Sequence, residues 1–295
     1  MSLFKKILLI LGLCLLIDRT LGFIFYGISK HSSFRFSELY TGSINADVLF
    51  VGNSIAVNAF HAPTFNKKTD MTAFNLSFNG LTFPLTEILI TDYLENNEKP
   101  QVIFIEISGL SNVPSDLLAN FKQFMSNSEL LSARLKKIHP PVYYASLVSK
   151  TFSYNSEFFL RTVYYLFKDD QAWINKNFIP ESTYSSLTVE TRHQLLLRPM
   201  SSLEIDQFRN LASSMASKGI IIVPVMAPII DKYYDAYEVN SYVQNFENDT
   251  GLKVLNLAGL IDDFEMFADS IHTNLKAAPL IMEHIIRNTS NLKEF

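Results

Sequence analysis

The sequence predicts an α/β fold, a three-layer α/β/α arrangement around a parallel sheet of roughly five strands. Three observations lead there. Short, near-continuous apolar runs, the pattern of strands covered on both faces, alternate with segments of helical periodicity. The composition is 48% hydrophobic and 18% charged over 295 residues, enough for a sizeable core and too apolar for long disorder. The polar signals between the runs fall where strand-to-helix loops are expected.

The first element is an apolar helix. Ile7–Ile17 is unbroken and follows Lys5 and Lys6; Asp18, Arg19 and Thr20 interrupt it, and Leu21–Ile28 resume it. Taken as one helix, residues 7–28 measure ~33 Å at 1.5 Å per residue, enough to cross a bilayer. The preceding lysines predict a single pass with a cytoplasmic N-terminus and the main domain in the periplasm or cell exterior. A cleaved signal peptide and a buried core helix are the competing readings, but no small-x-small cleavage site follows the apolar run. Asp18 and Arg19 are costly within a membrane. They either meet a partner membrane protein, or mark the end of the span near Ile17, with Leu21–Ile28 along the interface.

After this anchor, residues 1–30, the α/β domain is expected over 31–295. Its strands are predicted at Val48–Val51, Ala73–Leu76, Val102–Ile107, Ile220–Met226 and Val254–Leu257. Helices are predicted at Leu85–Asn96, Ser202–Ser217, Tyr234–Asn248 and Leu275–Asn288. More than one crossover's worth of chain separates the third and fourth strands, so 113–200 reads as an inserted subdomain. Its aromatic residues, among them Phe158, Tyr165, Trp173 and Tyr184, suit a small core, a sugar-stacking surface or an acyl pocket.

Ligands in parallel α/β sheets sit beyond the carboxyl ends of the strands, which selects three loops. The first is Gly52-Asn53-Ser54-Ile55-Ala56, in which a glycine lets the chain turn and present the Ser54 hydroxyl at a helix start; a plain helix cap is the alternative. The second, Ser77-Phe78-Asn79-Gly80, offers the Gly80 amide to a developing oxyanion, or is an ordinary turn. The third holds Asp269-Ser270-Ile271-His272, a spacing that lets the carboxylate hold one imidazole tautomer while the other nitrogen takes a serine proton. Each signal is weak alone; together they lie at one sheet edge in the order Ser, Gly, Asp-x-x-His.

This combination resembles the SGNH (GDSL-like) esterase and acyltransferase superfamily. Its first block is similar to Gly52-Asn53-Ser54, its second to Asn75-Leu76-Ser77-Phe78-Asn79-Gly80, and its last to Asp269-Ser270-Ile271-His272 followed by Asn274. The resemblance implies Ser54 as nucleophile, His272 as general base and acid, Asp269 as its orienter, and the Ser54 and Gly80 amides as oxyanion donors. Asn53 stands where the family has Asp. The third block is at best Ser108-Gly109-Leu110-Ser111-Asn112, which makes Asn112 the candidate side-chain donor. The layout also resembles the membrane-anchored DltD-like and alginate-acetylation proteins, whose resemblance implies an envelope polysaccharide substrate and a membrane-bound O-acyltransferase as partner. The nucleophile elbow of α/β-hydrolases is a poorer match, since only about twenty residues separate Ser54 from the anchor.

Composition narrows the function further. The net charge of −4 carries no basic block, against nucleic acid as a partner. One cysteine, Cys14, excludes a disulfide framework or multi-Cys zinc site, and no cofactor or metal is expected. The expectation is a serine-dependent O-acetyl esterase or O-acyltransferase on a cell-envelope glycan. A non-catalytic accessory protein that binds glycan or scaffolds an O-acyltransferase, and a lipid esterase, are the alternatives.

Overall fold

A computed structural model describes residues 2–110, 117–188, 197 and 199–289. The chain divides into two compact units, Met1–Ser43 with Asp116–Asp170, and Ile44–Ser115 with Gln171–Phe295. The N-terminal helix joins the residues after 116 in one unit, while Trp173, Phe178 and Tyr184 fall in the sheet unit.

The sheet unit contains β1 (Val48–Val51), β2 (Ala73–Asn75), β3 (Val102–Glu106), β4 (Ile221–Met226) and β5 (Leu255–Asn256). They form one sheet in the order β2-β1-β3-β4-β5. All pairings are parallel: Val48 lies opposite Ala73 and Val102, Val102 opposite Ile221, and Val225 opposite Leu255. Each predicted strand is present, β1 with its predicted limits and the others shortened by one residue at one or both ends. β1 and β3 are buried along their whole length, which explains their unbroken apolar runs.

The helices cover this sheet on both faces. Phe208, on the helix Ser202–Ser217, lies 5.5 Å from the Phe83 ring and 5.2 Å from that of Phe246, joining three helices. Elsewhere Phe50 of β1 packs on Phe60, Phe65 and, within the sheet, Phe104. Burying one such ring contributes about 1.5–3 kcal/mol. Local sequence sets the helix ends. Ser201 and Glu204 form a capping box at Ser202–Ser217, and Asp235 caps Ala236–Thr250 before Gly251 ends it at φ 75°. The order β2-β1-β3 places a topological switch between β1 and β3, and the crevice there opens at the end of β1.

The other unit is helical. Leu3–Lys30 is one helix of 28 residues, continuous through Asp18, Arg19 and Thr20. It is the one helix among the described residues long and apolar enough to cross a membrane, with mean hydropathy 2.2 over its best window. Residues 3–17 are exposed, whereas Gly22 and Ser29 are buried. Phe25 packs on Tyr154 and Phe159, and Ser29 Oγ accepts a 2.8 Å bond from Gln123.

The Asp18 carboxylate is satisfied within the chain. It accepts bonds from the hydroxyls of Ser149 and Thr151, each 2.6 Å, and from the amides of Lys150 and Thr151 at 2.8 and 3.0 Å. The helix runs on past Ile17, and its polar interruption is a docking point.

Phe36 contacts Phe121, Phe124 and Phe158, and Phe34 stacks on Tyr165. In this unit Tyr154, Phe158 and Tyr165 are thus core residues. A buried ion pair joins Arg35 Nε to Asp170 at 2.7 Å. Burial pushes the nearby Glu38 carboxyl up to about 7, with Asp170 and Asp169 adding to the rise and Arg35 opposing it.

Candidate active site

Ser54 is the first residue of a short helix, Ser54–Ala59, directly after β1. Asn53 caps that helix, its Oδ1 accepting the Ile55 amide at 2.8 Å. The turn needs Gly52: a Cβ there would stand 2.7 Å from Ala56 Cβ and 2.8 Å from Glu106 Cβ. Gly109 makes a matching cradle, since a Cβ on it would fall 1.9 Å from Asn53 Nδ2. The Asn53 amide thus occupies the space that the missing side chain of residue 109 leaves open.

Asn75, at the end of β2, holds the far end of the same helix. Its buried Nδ2 donates to the carbonyls of Ala56 and Phe60, at 3.2 and 2.6 Å, and its Oδ1 accepts the Ser77 amide. Gln171 pairs with the Asn75 backbone as a strand would, accepting at Oε1 (2.7 Å) and donating from Nε2 (3.1 Å). The following loop is pinned to the serine turn by the Phe78 amide, which donates to the Gly52 carbonyl at 3.1 Å. Gly80 has φ 74°, a backbone region that strains other residues. The amides of Ser54 and Gly80 have no backbone acceptor among the described residues, the state expected of donors kept for a ligand.

The histidine loop completes the arrangement. His272 Nε2 lies 2.8 Å from Ser54 Oγ, and Nδ1 lies 3.0 and 2.9 Å from the two Asp269 oxygens. A carboxylate can only accept, so Nδ1 carries the proton and Nε2 is free to receive one from the serine. Burial alone would raise the Asp269 carboxyl. Hydrogen bonds from the His272 ring and from the Ile271 and His272 amides outweigh it and hold the group below its ordinary value, hence ionised. Asp269 is about half exposed and His272 largely covered.

The loop is braced by Asn274, whose buried side chain donates to the carbonyls of Glu265 and Asn177. Thr273 donates to the Asn58 carbonyl at 3.2 Å, and Asn58 Nδ2 donates to the Ser54 carbonyl at 2.7 Å. A chain of side-chain bonds therefore runs from the histidine loop to the serine helix.

Glu106 is the feature that sequence reasoning missed. It is fully buried at the end of β3 against Gly52, and its Oε1 accepts from the amide and hydroxyl of Ser108. Burial pushes its carboxyl up to about 7, although hydrogen bonds from Ser108, Ala227 and Gly109 pull the other way. The signal was present: an acid closing the apolar run Val102-Ile103-Phe104-Ile105 is unusual for a strand buried on both faces. Asn58 gave no such signal, because the partner of its side chain is a backbone carbonyl, and Asn75 showed only as the first residue of the second block, its bonds being to backbone groups. Asn112 lies outside the described residues. Among the described residues no three His, Cys, Asp or Glu side chains gather to hold a metal.

No family model matches this chain. No curated protein matches it either. Two solved structures are similar to it at low identity. One is a "putative lipolytic protein of G-D-S-L family" from Desulfitobacterium hafniense DCB-2, with 11% identity, 82% of this chain and 99% of that one covered, and a TM-score of 0.40. The other is a "putative platelet activating factor" from Streptococcus pneumonia, with 10% identity, 96% and 98% coverage, and a TM-score of 0.45. The chemical reading therefore rests on the side chains themselves.

Proposed function

We infer that this protein is a serine-dependent acyl-ester enzyme with Ser54, His272 and Asp269 as its triad. One observation carries the reading: a hydroxyl, an imidazole and an ionised carboxylate stand in hydrogen-bonding sequence, with each proton position fixed by the next group.

Ser54 Oγ attacks the ester carbonyl as its proton passes to His272 Nε2. The carbonyl oxygen becomes an anion, met by the free amides of Ser54 and Gly80, while Asp269 stabilises the imidazolium. Collapse breaks the C–O bond, and the leaving alkoxide takes the proton from Nε2. The acyl group is then on Ser54. Water, or an acceptor hydroxyl, gives its proton to His272 and attacks in turn, releasing the acid or a transferred ester and restoring the serine.

The substrate class we propose is a small acyl ester, acetyl above all, on a cell-envelope glycan, with an O-acyltransferase of the membrane as the partner in transfer. Lys5 and Lys6, ahead of the apolar run Ile7–Ile17, support a cytoplasmic N-terminus and a main domain outside. Phe25 and Ser29 in the helical core support an uncleaved helix. An accessory role without catalysis makes the opposite prediction at Ser54.

The test uses the full chain in detergent, with p-nitrophenyl acetate and acetylated glycans as substrates and a fluorophosphonate probe. The expected result is labelling of Ser54 and a loss of at least about 10³-fold in turnover for Ser54→Ala. Undiminished turnover in that variant, or no labelling of the native chain, overturns the reading.

A further inference from the structure

A cavity of about 420 Å³ opens against the N-terminal helix just past Asp18, within the helical unit. Arg19, Gly22, Phe23 and Tyr26 line it from one helix face, at the spacing i, i+3, i+4, i+7. Ser126, Asn127, Lys150 and Tyr154 close the other side. It is separate from the serine site, whose residues all belong to the sheet unit.

Two cations face this cavity, Arg19 and Lys150. The neighbouring acid is already engaged: Asp18 is held by four donors from Ser149, Lys150 and Thr151, and Arg19 Nη1 stands 3.9 Å from it. Arg19 Nη2 also donates to the Val148 carbonyl at 3.1 Å, which aims the guanidinium along the cavity rim. Gly22 allows the close approach. A Cβ at that position would stand 2.5 Å from Lys150 Cβ, so any side chain would push the lysine and its turn away.

The depth of the cavity follows from helix length. Residues 7–17 are solvent-facing and apolar, and eleven residues measure only ~16 Å, against a hydrocarbon core of about 30 Å. The exposed Leu21, Phe23 and Ile24 on the same helix, with Leu147 and Val148 beside Arg19, must therefore dip into the boundary for the span to be complete. That brings Arg19 and Lys150 to the depth of the lipid phosphates, flanked by Tyr26 and Tyr154 as interfacial rings.

We propose that this cavity binds the headgroup of an anionic phospholipid: a phosphodiester against Arg19 and Lys150, with headgroup hydroxyls against Ser126 and Asn127. A planar guanidinium suits two phosphate oxygens at once, and the ammonium adds a second charge. The proposal rests on the membrane reading of the apolar run that begins at Ile7 and not on the esterase reading.

The experiment is lipid retention by the full chain, purified from mixed micelles of phosphatidylglycerol and phosphatidylcholine and read by native mass spectrometry. The native chain should retain phosphatidylglycerol about tenfold over phosphatidylcholine, as expected for two charged contacts that only one lipid completes. The double variant Arg19→Gln, Lys150→Gln should lose that preference with its melting temperature and esterase activity unchanged. Ser126→Trp, which keeps both charges but fills the cavity, should lose it too. Preference surviving in either variant overturns the cavity as the site. Displacement of the lipid by inorganic phosphate alone overturns the lipid as the ligand. Recovery of the full chain in the soluble fraction after an alkaline wash overturns the membrane reading and this proposal together, whereas retention in membranes without lipid preference overturns this proposal alone.

Discussion

His272 Nε2 lies 2.8 Å from Ser54 Oγ, although 218 residues separate the two in sequence. Nothing local holds them together. The contact depends on β1 delivering the serine to the sheet edge and on Thr273 and Asn274 bracing the returning loop.

Asp269→Asn tests the orienting carboxylate. An amide at this position supplies a donor where His272 needs only an acceptor, which favours the wrong tautomer. Turnover of a small acetyl ester is expected to fall about 10³–10⁴-fold. The circular dichroism spectrum and melting temperature should stay near those of the native chain, because Asp269 is half exposed.

Gly109→Ala tests the cradle beneath Asn53. The new methyl would overlap Asn53 Nδ2, so the Asn53 side chain must leave and its cap on Ile55 is lost. The lost cap costs about 1 kcal/mol of stability. Displacement of the serine turn should cost more in kcat, on the order of 10²-fold. Separate measurement of kcat and of the denaturation midpoint checks both.

Glu106 sets a pH dependence of stability. Its carboxyl has an ordinary value of 4.5 and keeps its proton in the fold up to about 7. Between these values the folded state binds more protons than the unfolded one. Stability therefore falls as pH rises from about 4.5 to about 7, and the cost is complete above that. Glu106→Gln should remove this decline, so that the loss of stability between pH 5 and pH 8 shrinks by about 1–3 kcal/mol in chemical denaturation. An identical decline in the variant would place its origin elsewhere, for instance in Glu38, which shifts in the same direction.

Asp18→Ala should loosen the helical unit. It leaves the hydroxyls and amides of Ser149, Lys150 and Thr151 without their shared acceptor, at a cost of about 2–4 kcal/mol. Faster amide exchange across 140–165, with the sheet unit unchanged, is the expected readout.

Much of the sheet was legible because parallel strands covered on both faces must be apolar throughout. Val48–Val51 and the run Val102–Ile105 announce themselves in this way. Ser54, Asp269 and His272 were legible as residues whose loops a single sheet brings to one edge. The division into units was not. It depends on Asp18 meeting Ser149 and Thr151 across more than 130 residues, and on Arg35 meeting Asp170. No local pattern announces such long-range polar contacts. In the sequence Asp18 therefore shows only as a polar interruption of an apolar run, and its partners at 149–151 do not show at all.

The double duty of Leu3–Lys30 bears on any truncation intended to yield a secreted form of this protein. Removing everything before residue 31 would take out more than the greasy stem. It would also strip Phe25 from between Tyr154 and Phe159 and leave Gln123 without Ser29. A deletion stopping short of Asp18 spares these contacts, so the useful cut lies partway along the helix, at the step from its bare stretch to its packed one.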